Sequence, residues 1–279
     1  MMIGRCNSPK LWVVSPVACV ALSFTIAVCA ADEPSALESP VERTFIADCD
    51  GSKQAYLQML PRGMAIDQPV SVMIALHGHG SDRWQFALQS RDECRAVRDV
   101  AAANSMVFVS PDYRAKTSWM GPQAEADMVQ IIGLLKQQFQ VKRLIMCGGS
   151  MGGTAALTFT ARHPQLVDGV VSLNGTANLQ EFAGFQEAIA ESFGGSKSEA
   201  AEQYRVRSAE LFPERFTMPL AATTGGNDDV VPPQSVLRLL ECVARENPNV
   251  LSIHRPDEGH STNYEDTKQA LEFVISRIK

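Results

Sequence analysis

The sequence predicts an α/β domain: a mostly parallel central sheet of about eight strands with helices on both faces. Three observations carry this. Short β-rich runs alternate with helical patterns along the chain. A Gly-x-Ser-x-Gly turn, Gly148-Gly149-Ser150-Met151-Gly152, follows one of those runs and opens a small-residue helical stretch. The chain has 279 residues, 45% of them hydrophobic, enough to bury one large core.

Taken from the N-terminus, Arg5 and Lys10 precede an uncharged stretch, Leu11–Ala31, that ends in Val28-Cys29-Ala30-Ala31. A basic start, an apolar middle and small residues at the end predict a secretory signal peptide over residues 1–31, cut after Ala30 or Ala31. Two other readings also export the domain. One is an uncut span, although Ser15, Pro16, Ser23 and Thr25 dilute its hydrophobicity. The other is a lipid on Cys29, against which the bulky Val28 stands. The product is expected in the periplasm or secreted. Residues 32–40 are polar and proline-bearing and read as a flexible leader.

The domain is expected over residues 41–279. Thr44–Ala47 and Gln54–Leu60 supply two early strands, followed by Ser71–Leu76, Ser105–Ser110, Leu144–Cys147, Gly169–Leu173, Leu220–Thr224 and Val250–His254. Between them, Ala124, Met128, Ile131 and Leu135 fall at helical spacing, as do Val236, Leu239, Leu240 and Val243, then Leu271, Val274, Ile275 and Ile278. Residues 175–218 are too long for an ordinary connection. They hold helix-like Leu179–Phe193, a Gly194-Gly195-Ser196 break and helix-like Ser198–Leu211. The expectation is a small helical cap over the C-terminal edge of the sheet, where ligands bind in open α/β folds.

The chemistry begins at Ser150. A strand–turn–helix setting with glycines on both sides is what an exposed serine nucleophile requires sterically. A serine hydroxyl needs a base, and the base needs an acid to fix its tautomer. Past Ser150 the chain offers Gly225-Gly226-Asn227-Asp228-Asp229-Val230-Val231-Pro232 and Asp257-Glu258-Gly259-His260-Ser261, each beyond a predicted strand. His260 is the expected base; His163 and His254 read as a helix-end and a strand residue. Asp228 is favoured as the acid, with its neighbour Asp229 as the alternative. For the developing oxyanion, the donors expected are the N–H of Met151 and an amide of His77-Gly78-His79-Gly80, His79 ahead of Gly80. Trp119, in the loop after Ser105–Ser110, is a candidate substrate-binding residue.

These residues together resemble the α/β-hydrolase superfamily over nearly the whole chain after Pro40. Gly149-Ser150-Met151-Gly152-Gly153, the segment Pro219 to Pro232 and Asp257-Glu258-Gly259-His260 are similar to the catalytic domain of the prolyl-oligopeptidase family and its single-domain esterase relatives. The resemblance implies nucleophile Ser150, acid Asp228 and base His260. With no β-propeller segment ahead of the domain in this sequence, it implies an exported serine esterase more readily than a serine peptidase. The expected substrate is a small or polysaccharide-linked ester.

Composition narrows the rest. Removing Arg5 and Lys10 leaves 23 basic residues against 31 acidic, a formal charge of −8. With no basic cluster, nucleic acid is not an expected partner, nor is membrane insertion once the signal is cut. No cofactor is expected. His77-Gly78-His79 with Asp82 approaches a His-x-His-x-Asp metal pattern, but the aspartate falls one place late and no second histidine pair supports it, so no metal is expected. Gly148–Gly153 lacks the lysine of a phosphate-binding loop. Cys49, Cys94, Cys147 and Cys242 follow the signal; their pairing is open, with Cys147 read as a buried free thiol. The sequence carries no signal for oligomeric state.

Overall fold

The computed structural model describes residues 36–65 and 68–278, together with Met1, Met2 and Gly4. The chain divides into a unit Met1–Glu33, nearly all of it outside the described residues, and a unit Pro34–Lys279 that holds the sheet. Apart from Met1, Met2 and Gly4, the expected signal peptide lies outside the described residues, as do residues 32–35 of the expected leader. The rest of that leader is not free. Glu38 N–H donates to the Leu60 carbonyl at 2.7 Å and Arg62 N–H to that of Ala36 at 2.8 Å, while Leu37 packs on the core.

Eight strands form one sheet: β1 (Val41–Ile46), β2 (Lys53–Met59), β3 (Val70–Leu76), β4 (Val107–Pro111), β5 (Val141–Gly149), β6 (Gly169–Leu173), β7 (Leu220–Gly225) and β8 (Val250–Arg255), in the spatial order β1-β2-β4-β3-β5-β6-β7-β8. β1–β2 and β2–β4 pair antiparallel, and every later pair is parallel. Eight helices accompany them among the described residues: α1 (Trp84–Leu88), α2 (Asp92–Ala103), α3 (Pro122–Gln138), α4 (Met151–Arg162), α5 (Gln186–Phe193), α6 (Ala201–Val206), α7 (Gln234–Val243) and α8 (Tyr264–Arg277).

The two-residue period of a strand sends alternate side chains to opposite faces, and β3 shows why both must be covered. Val72, Ile74 and Leu76 join a core with Met128, Ile131 and Leu135 of α3, Leu157 and Phe159 of α4, and Leu239 of α7. Met73 and Ala75 join a second core with Phe86 of α1, Val97 and Val100 of α2, and Leu271 and Val274 of α8. This places the C-terminal ends of β3, β5, β7 and β8 along one rim. Among the described residues no helix is long and apolar enough to cross a membrane. Cys49, Cys94, Cys147 and Cys242 are free thiols, Cys94 and Cys147 deep in the core.

The segment between β6 and β7 is less helical than its composition predicts. Leu179 to Phe185 forms turns, with Phe185 left-handed at φ +52°, and only Gln186–Phe193 continues as α5. Asn178 Oδ1 accepts from the N–H groups of Gln180 and Glu181, both at 3.1 Å, capping a single turn that Phe182 N–H closes on the Asn178 carbonyl at 3.0 Å and that does not continue past Gly184 and the left-handed Phe185. The later part shrinks to α6 and a 3₁₀ turn at Ala209–Leu211. Its Arg207 is buried, donating to the Met120 carbonyl at 2.8 Å and pairing with Glu125 of α3 at 2.5 Å.

Candidate active site

The turn after β5 is shaped by what surrounds it. A Cβ on Gly152 would run into the Leu76 carbonyl oxygen at the end of β3, so only glycine fits there. Ser150 itself has φ +58° and ψ −118°, a backbone that non-glycine residues rarely adopt, worth about 1–3 kcal/mol of strain. Its N–H donates to Leu173 at the end of β6 at 2.8 Å, and its carbonyl accepts from Thr154 N–H at 3.0 Å, the first turn of α4. The surrounding bonds hold the strained residue with its side chain in an open cavity.

His260 arrives from the loop after β8 and Asp228 from the loop after β7. These loops are stitched together. Gly226 N–H donates to the Arg255 carbonyl at 2.8 Å, Asn227 N–H to that of Glu258 at 2.9 Å, and the Asn227 side chain to that of Asp257 at 3.1 Å. A Cβ on Gly226 would meet the Pro256 carbonyl, so this close approach also needs glycine. His260 Nε2 stands 2.8 Å from Ser150 Oγ, and His260 Nδ1 stands 2.7 Å from Asp228 Oδ2. Asp228 is 5% exposed, and its Oδ1 accepts from the N–H groups of Val230 at 3.0 Å and Val231 at 2.8 Å. Asp229 is exposed to solvent. The structure thus brings Ser150, His260 and Asp228 together and leaves Asp229 outside.

The loop after β3 lies against the serine: a Cβ built on Gly78 would be 3.8 Å from Ser150 Cβ. Gly78–Ser81 is a turn closed by Ser81 N–H to the Gly78 carbonyl at 3.1 Å, with Gly80 at φ +79° in the third position, as a type II turn requires. Gly80 N–H is committed to the Lys116 carbonyl at 2.8 Å, whereas His79 N–H and Met151 N–H have no hydrogen-bond partner among the described residues. His77 is fully buried, its ring nitrogens 2.9 Å from the Gly78 carbonyl and 3.1 Å from that of Asp112. Burial pushes its pKa below the ordinary histidine value. Both ring nitrogens thus face backbone carbonyls, one in the loop itself and one at Asp112, and the neutral ring donates to one of them.

Trp119 is placed differently from expectation. It is fully buried and does not line the cavity. Its indole N–H donates to His79 Nδ1 at 3.1 Å, and its ring packs 5.3 Å from that of Phe185 and 5.5 Å from that of Phe182. The reason is geometric: Trp119 and Met120 both have positive φ, 43° and 56°, within the turns that follow β4, and the indole enters the apolar core. Phe185, from the segment between β6 and β7, lines the cavity instead. His163 and His254 lie elsewhere, His163 on Glu125 at 2.8 Å and His254 on Thr224 at 2.9 Å.

The cavity holds about 380 Å³. Besides Ser150, His260, His79 and Phe185 it is lined by Asn174, Val230, Gln85, Gln89, Arg91 and Glu93, which sequence patterns did not single out. Among the described residues no group of three or more His, Cys, Asp or Glu side chains is placed to hold a metal ion.

A sequence model of the prolyl oligopeptidase family matches residues 113–275, more than half of the chain. The chain belongs to the prolyl oligopeptidase family. The fold is that of the α/β-hydrolases, and the family is one of serine hydrolases. No curated protein matches it. Among solved structures it is similar to puromycin hydrolase, at 21% identity and TM-score 0.67, over 86% of this chain and 39% of that one. It is also similar to an esterase of Pyrococcus furiosus, at 18% identity and TM-score 0.62, over 86% of this chain and 93% of that one. A third is S-formylglutathione hydrolase of Agrobacterium tumefaciens, at 15% identity and TM-score 0.65, over 88% and 100%. At these identities the likeness is one of fold. This prolyl oligopeptidase family member thus spans about two fifths of puromycin hydrolase but nearly all of the other two.

Proposed function

We propose that this serine hydrolase cleaves carboxylic esters through an acyl-enzyme. The observation that carries the reading is the unbroken Ser150–His260–Asp228 chain, with hydrogen-bond distances of 2.8 Å and 2.7 Å, opening on a cavity of about 380 Å³. His260 takes the Ser150 proton at Nε2 as Oγ attacks the ester carbonyl. Asp228, fixed by two backbone N–H groups, accepts from Nδ1–H, keeps the ring in the required tautomer and stabilises the imidazolium. The amides of His79 and Met151 receive the oxyanion, each worth about 3 kcal/mol in the transition state. His260 then protonates the leaving alcohol, and water, deprotonated by the same nitrogen, releases the acid.

Two features favour an ester over a peptide. The cavity suits a small substrate, and the neighbours that this chain matches nearly end to end are named an esterase and an S-formylglutathione hydrolase. The N-terminal charge and hydrophobicity pattern supports an exported enzyme, periplasmic or secreted. The test is a panel of p-nitrophenyl esters of graded chain length beside an aminoacyl p-nitroanilide, with fluorophosphonate labelling of wild type and Ser150→Ala. Short esters should be cleaved with the highest kcat/KM, and label should be lost in the variant. Anilide cleavage exceeding that of every ester, or undiminished labelling of Ser150→Ala, would overturn the reading.

A further inference from the structure

The cavity beside Ser150 is lined by two chemically unlike sets of side chains. Phe185 and Val230 are apolar and partly exposed, at 36% and 41%. Gln85, Gln89, Arg91 and Glu93, from α1, α2 and the turn between them, are polar. Two of these are buried despite their polarity, Gln85 at 5% exposure and Glu93 at 8%. Burying such groups is unfavourable unless each is partnered, so their arrangement is a built one.

The partners fix the orientation of each. Gln85 Oε1 accepts from Gly78 N–H at 2.8 Å. An N–H can only be met by the amide oxygen, which settles which way the amide faces. Its Nε2 makes no hydrogen bond among the described residues and keeps accessible surface, leaving two donors available to whatever occupies the cavity. Glu93 Oε1 is 2.7 Å from Arg91 Nε, while Glu93 Oε2 and the terminal guanidinium nitrogens of Arg91 are unengaged among the described residues. The pair cancels its own charge. It therefore gives no net attraction to a charged ligand, yet presents donors and acceptors side by side, the carboxylate buried and the guanidinium 57% exposed. Groups that both donate and accept at neighbouring positions match such an array, and vicinal hydroxyls have that property.

Resting on the ester reading, we infer that Gln85, Gln89 and the Arg91–Glu93 pair form a subsite for a neutral polyhydroxylated group, so that the substrate is a short acyl ester of a carbohydrate. The acyl group lies by Phe185 and Val230. Cleavage transfers the acyl group from the sugar oxygen to Ser150 Oγ, and the sugar hydroxyl leaves with the proton from His260. Water then carries the acyl group off as the acid.

The test compares methyl 6-O-acetylglucoside with cyclohexylmethyl acetate, matched in ring size and lacking or holding the hydroxyls, in wild type and in the double variant Arg91→Leu/Glu93→Leu. Wild type should favour the sugar ester in kcat/KM by about tenfold or more, the worth of two or three hydrogen bonds. The double variant should lose most of that preference through a raised KM for the sugar ester. Should the double variant fail to fold, free methyl glucoside should inhibit wild-type p-nitrophenyl acetate hydrolysis competitively, and more strongly than cyclohexylmethanol does. Equal cleavage of both esters by wild type, or a preference unchanged in the variant, would overturn the subsite while leaving the ester reading intact. Cleavage of neither ester, with the aminoacyl anilide cleaved, would overturn the ester reading and the subsite with it.

Discussion

The indole N–H of Trp119 donates to Nδ1 of His79 at 3.1 Å, joining a buried core residue to the residue whose backbone amide faces the cavity. The bond requires a neutral His79 ring with its proton on Nε2. Burial holds the His79 pKa below the ordinary histidine value, so the accepting form persists further into acid than a free histidine would allow. Phe185 packs on the same ring at 4.4 Å, so the imidazole is held from two elements.

Trp119→Phe keeps the aromatic packing and removes only the N–H donor. We expect kcat to fall about fivefold, the worth of about 1 kcal/mol, with KM little changed, because the oxyanion amide loses its anchor rather than substrate losing a contact. Ester kinetics of the variant check this; an unchanged kcat would show that the bond does not position the amide.

Asp228→Asn should lower turnover by about 10⁴-fold, since an amide replaces the carboxylate that holds the imidazole in its working tautomer. Asp229→Asn should change it less than about twofold, because Asp229 is a solvated turn residue. Parallel kcat/KM measurements on the two variants decide the matter, and the reverse ranking would move the acid by one position.

At Ser150 the strained backbone separates two substitutions that both remove the hydroxyl. Ser150→Ala keeps φ +58° with a Cβ in place and should melt near wild type. Ser150→Gly relieves the steric part of the strain and should gain about 1 kcal/mol in urea denaturation. Both should lose several orders of magnitude in turnover. Equal stability of the two variants would mean that the turn stores no strain.

Asp127 gives stability a pH dependence unrelated to catalysis. Burial pushes its pKa up to about 6, despite Arg114 at 2.7 Å. The unfolded carboxyl releases its proton near 4, so between about pH 4 and pH 6 the folded state holds the extra proton. The Asp127 contribution is therefore fully present below about pH 4 and is lost as pH rises through about 6, a change on the order of 3 kcal/mol. Urea midpoints taken across this window should decline less steeply in Asp127→Asn; parallel profiles for variant and wild type would contradict the assignment.

Much of this architecture was legible from pattern, for physical reasons that differ by element. The runs Gly169–Leu173 and Leu220–Thr224 stood out because strands covered on both faces are continuously apolar. The turn at Ser150 stood out because its steric demands admit few residues, and the order serine, acid, histidine narrowed the partners. Asp228 and Asp229 could be ranked but not resolved from pattern, since what separates them is a pair of backbone N–H groups contributed by Val230 and Val231. For Trp119, position after a strand indicated the rim but not the depth. Phe185 and Gln85 were illegible: one depends on a left-handed residue within the insertion, the other on a side-chain bond to Gly78.

The aromatic wall of the cavity is contributed by the segment between β6 and β7, whereas Ser150, His260 and Asp228 hang from β5, β8 and β7. The aromatic contact with the acyl group and the reacting groups are thereby housed in separable stretches of chain. Sequence drift or deliberate exchange around Phe185 can retune which acyl group is accepted while the reacting groups stay anchored to a scaffold that does not have to change.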